Sequence, residues 1–91
     1  MKFQWDKAKA AKNFVAHGVH FEEAQAVFDD QLYVDFYDPD HSDHEKRFLC
    51  FGRSKAGRLL VVSYTERSNS VRLISAREAT RRERKDYERG L

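Results

Sequence analysis

Apolar and polar positions fall in short blocks along this chain, and the longest apolar block sets the frame for the others. From Leu59 to Thr65 the sequence LLVVSYT is apolar and β-branched, long enough for a buried strand and too short for a typical helix. Ser68, Asn69 and Ser70 follow as turn-formers, because their side chains can hydrogen-bond the nearby backbone. Val71 to Ser75 resumes the strand pattern. Residues 59–77 are therefore predicted to form a hairpin, with Glu66 and Arg67 at its turn and Arg77 at its far end.

Met1 to Trp5 is a short strand candidate. Asp6 is placed as an N-cap, and KAKAAKNFVAH has helix-forming composition up to Gly18, which suits a C′ position. Ala10, Asn13, Phe14 and His17 share one face of that helix at i, i+3, i+4 and i+7. Phe21 to Phe28 reads as a second short helix, packed on the first as a helical hairpin across Gly18–His20. Leu32 to Tyr37 and Arg47 to Arg53 read as strands. The stretch between them, DPDHSDHE from Asp38 to Glu45, is a solvated loop; its acids and histidines match no calcium or zinc spacing.

The last segment, from Ser75 to Arg89, reads as a helix. Ser75 and Glu78 suit a capping box, and Glu78 is spaced to pair with Arg82. Its inward stripe of Ala76, Thr80, Glu83 and Tyr87 is poor, so weak docking is expected. The order is β-α-α-β-β-β-β-α, an α+β class. Its four consecutive strands should form an antiparallel meander, with the first strand at an edge and the helices on one face.

Composition narrows the reading. The 91 residues suit one small domain, with 41% hydrophobic residues for a core and 35% charged residues for a solvated surface. The sequence contains neither an apolar run near 18 residues nor a signal-peptide core, so a soluble cytoplasmic protein is expected. Cys50 is the one cysteine and sits in a strand-like run, as a buried structural thiol. The net charge of +2 conceals a split. Residues 1–45 carry four Lys against ten acids (−6), and residues 46–91 carry thirteen Lys/Arg against five acids (+8). A basic half of that size points to a polyanion or a charged partner.

Several residues carry candidate chemistry. Arginine is always charged, and its planar fork binds two phosphate oxygens at once. Arg67 and Arg77 stand at the two ends of the hairpin, and Arg58 falls in a turn where solvation is expected. In a regular hairpin Arg67 and Arg77 lie about 20 Å apart along the strand at roughly 3.3 Å per residue, too far to grip one phosphate unless a strand bends. His17 ends the first helix, either capping its last carbonyls or available for proton transfer.

The ordered set of motifs carries a resemblance. Phe3-x-Trp5-Asp6, Asn13 with His17-Gly18-Val19, Phe21-Glu22-Glu23-Ala24 and Val27-Phe28 come first. Gly52-Arg53-Ser54, Tyr64-Thr65-Glu66-Arg67, Ile74-Ser75-Ala76-Arg77, Ala79-Thr80, Glu83-Arg84 and Tyr87 follow. Together they resemble the BrnT family, ribonuclease toxins of type II toxin–antitoxin systems whose fold is similar to that of RelE toxins. Ala16 stands where a lysine is common and His20 where Ser or Thr would cap the second helix. The resemblance covers nearly all of residues 1–91 as a single toxin domain. It implies cleavage of RNA without metal or other cofactor, toxicity, and neutralisation by a DNA-binding BrnA-type antitoxin in a hetero-oligomer, with no membrane partner. Arg67 and Arg77 would stabilise charge on the phosphorus, with His17 or Glu66 taking the 2′-hydroxyl proton. Arg72, Arg81, Arg82, Arg84 and Tyr87 would contact substrate. The competing reading is a non-catalytic module in which the basic residues hold nucleic acid or a protein partner.

Overall fold

A computed structural model describes residues 2–90. The chain runs β1 (Lys2–Gln4), α1 (Lys7–His17), α2 (Phe21–Gln25), β2 (Val34–Asp38), β3 (Arg47–Arg53), β4 (Leu59–Arg67), β5 (Ser70–Glu78) and α3 (Arg81–Glu88). Short 3₁₀ turns at Ala26–Asp29 and Pro39–His41 are inserted into the expected order. Met1, at the head of the first strand candidate, lies outside the described residues. Among them, no helix is long and apolar enough to cross a membrane.

Local chemistry sets the boundaries. Asp6 accepts the Lys9 N–H, and Gly18 ends α1 at φ 69°, in the left-handed region that favours glycine. His20 makes no side-chain cap, and α2 holds only to Gln25 before tightening into the first 3₁₀ turn, short of the helix expected through Phe28. That turn presses on β3. A Cβ at Gly52 would lie 2.8 Å from a Val27 methyl carbon and 3.2 Å from the Val27 carbonyl oxygen.

The final helix is shorter than expected. Residues 75–78 stay in β5 because each pairs with β4, through Leu60 opposite Glu78, and Ala79 N–H adds a bond to Leu59 O at 2.9 Å. The capping box accordingly forms at Thr80 and Glu83, not at Ser75 and Glu78. Glu78 pairs with Arg58 at 3.0 Å and not with Arg82.

The five strands are ordered β1-β5-β4-β3-β2. The meander is antiparallel as expected, but β1 joins the β5 edge in parallel, so the sheet is mixed and not wholly antiparallel. The direction follows from α1. Asn13 of α1 bonds to Ala76, while Gln4 is level with Arg72. Nine residues, mostly helical, advance roughly 14 Å at 1.5 Å each, and four strand residues advance about 13 Å at 3.3 Å each. Only a β1 parallel to β5 brings Asn13 level with Ala76.

Helices lie on both faces, which corrects the one-face expectation. Val19, Phe21, Ala24 and Val27 pack against Cys50, Leu60, Val62, Tyr64, Leu73 and Ala76 on one side. Phe51, Leu59 and Val61 point to the other side and are also buried, at the end where α3 docks. Burial pushes the Cys50 thiol up, with Asp35 adding to it, which fits a neutral structural thiol.

Arg58 is not a solvated turn residue. Its guanidinium donates to both oxygens of Glu23, to Glu78 Oε1 at 3.0 Å and to Gly18 O at 3.1 Å, and Ser54 Oγ donates to Glu23 at 2.7 Å. It ties the helical hairpin to β4 and β5, and its proximity holds the Glu23 carboxyl below its usual range.

Asn13 is the sharpest test of this packing. Its amide donates to Val19 O at 3.0 Å and Ala76 O at 2.8 Å, and its oxygen accepts from Ala76 N–H at 3.0 Å. Each orphaned buried group costs about 1–3 kcal/mol. Asn13→Leu, similar in size but apolar, should therefore destabilise by at least about 2 kcal/mol and lower Tm by roughly 10 °C, read by thermal denaturation. A Tm within a degree or two of wild type would show that these bonds carry no net stability.

Candidate functional site

The sheet face that carries α3 is only partly covered. Along β4 the residues on this face are Leu59, Val61, Ser63, Thr65 and Arg67, alternating with the core-facing Leu60, Val62 and Tyr64. Their partners place Arg47 and Leu49 of β3, and Phe36 of β2, on the same face. Helix α3 is tied to this face through Glu83 to Arg77, which is opposite Val61, and through Tyr87 to Asp30, so it stands at the Leu59–Val61 end and away from the hairpin turn.

A bulge decides which arginines share this face. Arg72 and Arg77 are five residues apart, and in a regular strand an odd separation sends side chains to opposite faces. Here Ser63 pairs with Ser75 and Tyr64 with Leu73, so Ile74 is an extra residue in β5. That one residue returns Arg72 to the face of Arg77. Arg47, Arg67, Arg72 and Arg77 thus lie on one side of the sheet, with Arg53, opposite Leu59 and paired with Glu88 of α3, at its far end.

Each has a distinct neighbourhood. Arg67 is paired with Glu45, Nε to Oε2 at 3.3 Å and Nη2 to Oε1 at 3.2 Å, which holds the Glu45 carboxyl below its usual range. Arg72 reaches Gln4 Oε1 at 3.5 Å, at the limit of a hydrogen bond. Arg77 grips Glu83 of α3 with two parallel bonds of 2.8 and 2.9 Å. The Arg47 side chain makes no hydrogen bond or ion pair among the described residues, although its backbone N–H donates to Ser42 Oγ at 3.0 Å.

The expected site residues do not all converge. Arg77 is opposite Val61, six residues along β4 from Arg67, so the two stand about 20 Å apart along the strand. Glu66 adjoins Arg67 in sequence but sits level with core-facing Val71, on the other face. His17 ends α1, also on the helical-hairpin side, at the Arg58 end of the sheet. Neither is brought to the four arginines.

Arg81, Arg82 and Arg84 are exposed along α3. Tyr87 is committed elsewhere: its hydroxyl donates to Asp30 Oδ2 at 2.9 Å, and burial together with that bond raises its pKa. Burial opposes ionisation of Asp30. Bonds from the Arg53 and Leu32 N–H groups and from Tyr87 outweigh it and keep the carboxyl charged.

Three residues at this face, Arg47, Glu45 and Phe36, are not among the candidate site residues named from the sequence. Arg47 had a signal, since it begins the alternation Arg47, Leu49, Phe51 opposite the core-facing Phe48 and Cys50. Glu45 and Phe36 had none, because their relation to Arg67 and Arg47 depends on strand register. The neighbouring loop is internally bonded. His41 Nδ1 lies 2.9 Å from Asp38 Oδ2, and Ser42 Oγ donates to Asp38 O at 2.5 Å.

Comparison with known proteins agrees with this architecture. The family model described as "Ribonuclease toxin, BrnT, of type II toxin-antitoxin system" matches residues 5–83. Among solved structures, the chain is similar to the Brucella abortus ribonuclease toxin BrnT, determined at 1.1 Å. The TM-score is 0.66 at 21% identity, covering 89% of this chain and 99% of that one, a likeness of fold. No curated protein matches the chain.

The Arg77–Glu83 clamp makes a pH prediction. Arg77 and the Thr80 N–H pull the Glu83 carboxyl down to about 2 against burial. A depressed folded-state pKa means stability that is fully present above the unfolded value and is lost as pH falls through the folded one. Helix α3 should therefore stay docked at pH 5 and above and loosen between about pH 4.5 and 2. Glu83→Gln should loosen it already at pH 7. Amide exchange across residues 81–88 reads both; equal protection of wild type and variant at pH 7 would show that the clamp does not hold the helix.

Proposed function

The chain belongs to the BrnT family of ribonuclease toxins of type II toxin–antitoxin systems, and from that premise we propose that it cleaves single-stranded RNA without a metal ion along the open, arginine-lined face of its sheet. Membership implies an RNA substrate and an antitoxin partner. The observation that carries the reading is the gathering of Arg47, Arg67, Arg72 and Arg77 on one face, where a bulge is needed to bring them together.

The RNA strand lies along this face with successive phosphates on successive arginines, so Arg67 and Arg77 serve different phosphates. The scissile phosphate takes the Arg67 end. Its oxygens displace Glu45 from the guanidinium, which then faces the charge that builds on phosphorus. The released Glu45 carboxylate is the acceptor closest to Arg67 on this face and takes the 2′-hydroxyl proton, the part assigned from sequence to His17 or Glu66. The 2′-oxygen bonds to phosphorus, the bond to the 5′-oxygen breaks, and that oxygen takes a proton from water. The products are a 2′,3′-cyclic phosphate and a 5′-hydroxyl. Arg72 and Arg47 hold flanking phosphates, and the exposed Arg81, Arg82 and Arg84 extend the track. Tyr87 acts indirectly, by anchoring α3 to Asp30.

The partner on this reading is a BrnA-type, DNA-binding antitoxin that forms a hetero-oligomer with the toxin in the cytoplasm. It covers α3, whose outward side carries Arg81, Arg82 and Arg84, and so denies RNA the same cations. The whole chain acts as one domain in this.

Two measurements test the proposal. Purified protein should cut RNA in excess EDTA, and Arg67→Ala should lose about 10²–10³-fold in rate with its Tm little changed, the usual effect of removing one transition-state donor. Cleavage abolished by EDTA and restored by a divalent ion would overturn the metal-free mechanism. Reversing charge with Arg81→Glu and Arg84→Glu together should slow antitoxin association and flatten its salt dependence. An unchanged association rate would place the antitoxin elsewhere.

A further inference from the structure

We propose that Phe36 is a stacking platform for one base of the bound RNA and that Arg47 holds the phosphate beside it, a subsite that rests on the RNA reading above and adds to it. Phe36 lies in β2, at the sheet edge opposite β1. Its partner across the ladder is Leu49, and Arg47 is two residues further along β3 on the same face. Such diagonal neighbours lie about 7–8 Å apart, within reach of an aromatic ring and a long cation. Arg47 is in turn opposite Thr65, two residues from Arg67 on that face. Phe36, Arg47 and Arg67 therefore step across the open face from the edge toward the scissile end.

The ring is held and still accessible. Phe36 meets Phe51 at 5.7 Å between centroids with planes at 88°, and 39% of the residue stays exposed. Its neighbour Tyr37 points to the other face, where it packs on Phe48, itself stacked on Tyr64 of the core. Exposed aromatic surface beside an unengaged guanidinium is the pairing that single-stranded nucleic acid uses, since every base has a π-face and every linkage a charge. Asp38, opposite Arg47, is 13% exposed and already engaged by His41; Arg47 also shares a cleft with Asp40, Asp43 and Glu45, and of these Glu45 is bonded to Arg67.

The test is a fluorescence-anisotropy titration with a short single strand carrying 2′-O-methyl groups, which binds but cannot be cleaved. Phe36→Leu keeps an apolar group against Phe51 and removes the π-face; affinity should fall about tenfold. Phe36→Trp should bind as tightly as wild type, and its indole fluorescence should be quenched by the strand beyond any change at Trp5. Tyr37→Leu should bind as wild type. Arg47→Gln should weaken binding and lower the salt slope by about one.

If wild type binds the strand and Phe36→Leu binds it equally well, the subsite is wrong while the RNA reading stands. If wild type does not bind the strand, both fall. If Phe36→Leu loses the antitoxin and keeps the strand, the ring belongs to a protein interface and the subsite is overturned.

Discussion

Beyond the point where β1 ends, β5 presents the N–H and C=O of Ala76 to its outer side with no strand to receive them. Buried backbone groups left unpaired are costly, so something must complete the ladder. Asn13 does so with a carboxamide, accepting from the Ala76 N–H and donating to its carbonyl as another peptide would. Its third bond, to Val19 O, fixes the chain after Gly18 and aims Phe21 at the core. From this side chain follow the parallel direction of β1, the place of α1 and the path of the helical hairpin. One face of the sheet is thereby closed by the helical hairpin.

That other face is built by a defect in a regular pattern. Without the extra residue at Ile74, Arg72 would share a face with Leu73's successors in the core or Arg77 would, and one guanidinium would be buried or misdirected. The bulge resolves the conflict by letting Leu73 and Ala76 both reach the core while Arg72 and Arg77 both reach the open face. Bulges re-aim side chains at functional edges, and here the re-aimed groups are cations.

Much of the fold was legible in the sequence, because periodicity and turn chemistry are local. Residues 59–77 announced a hairpin whose strands prove to be Leu59–Arg67 and Ser70–Glu78, and Asp6 and Gly18 bracketed α1. What failed depended on distant pairing. Ala76 to Glu78 have helix-like composition, yet β4 holds them as strand. The direction of β1 depends on Asn13 reaching Ala76, and Arg58 looks like a loop residue until Glu23 and Glu78 converge on it. The site was legible in part. Arginines at strand ends were visible as cations, but their common face required the bulge. Glu66 stands apart from Arg67 for a simpler reason: adjacent residues of a strand point to opposite faces of the sheet.

The carboxylates on this face give its charge a particular character. Arg67 is held by Glu45 and Arg77 by Glu83, so two of the four cations are already paired when no ligand is present. The pairs differ in strength for geometric reasons. Glu83 makes two short parallel bonds, is itself capped at Thr80 and belongs to a helix, whereas Glu45 sits in a loop with contacts of 3.2 and 3.3 Å. A phosphate entering the face meets unequal resistance, least at Arg47, more at Arg67 and most at Arg77. Breaking the last pair also releases the helix that the pair docks. The Arg77 end is thus built to hold α3 in place, whereas the Arg67 end, with its looser carboxylate and Arg47 beside it, can release its pair without undocking the helix.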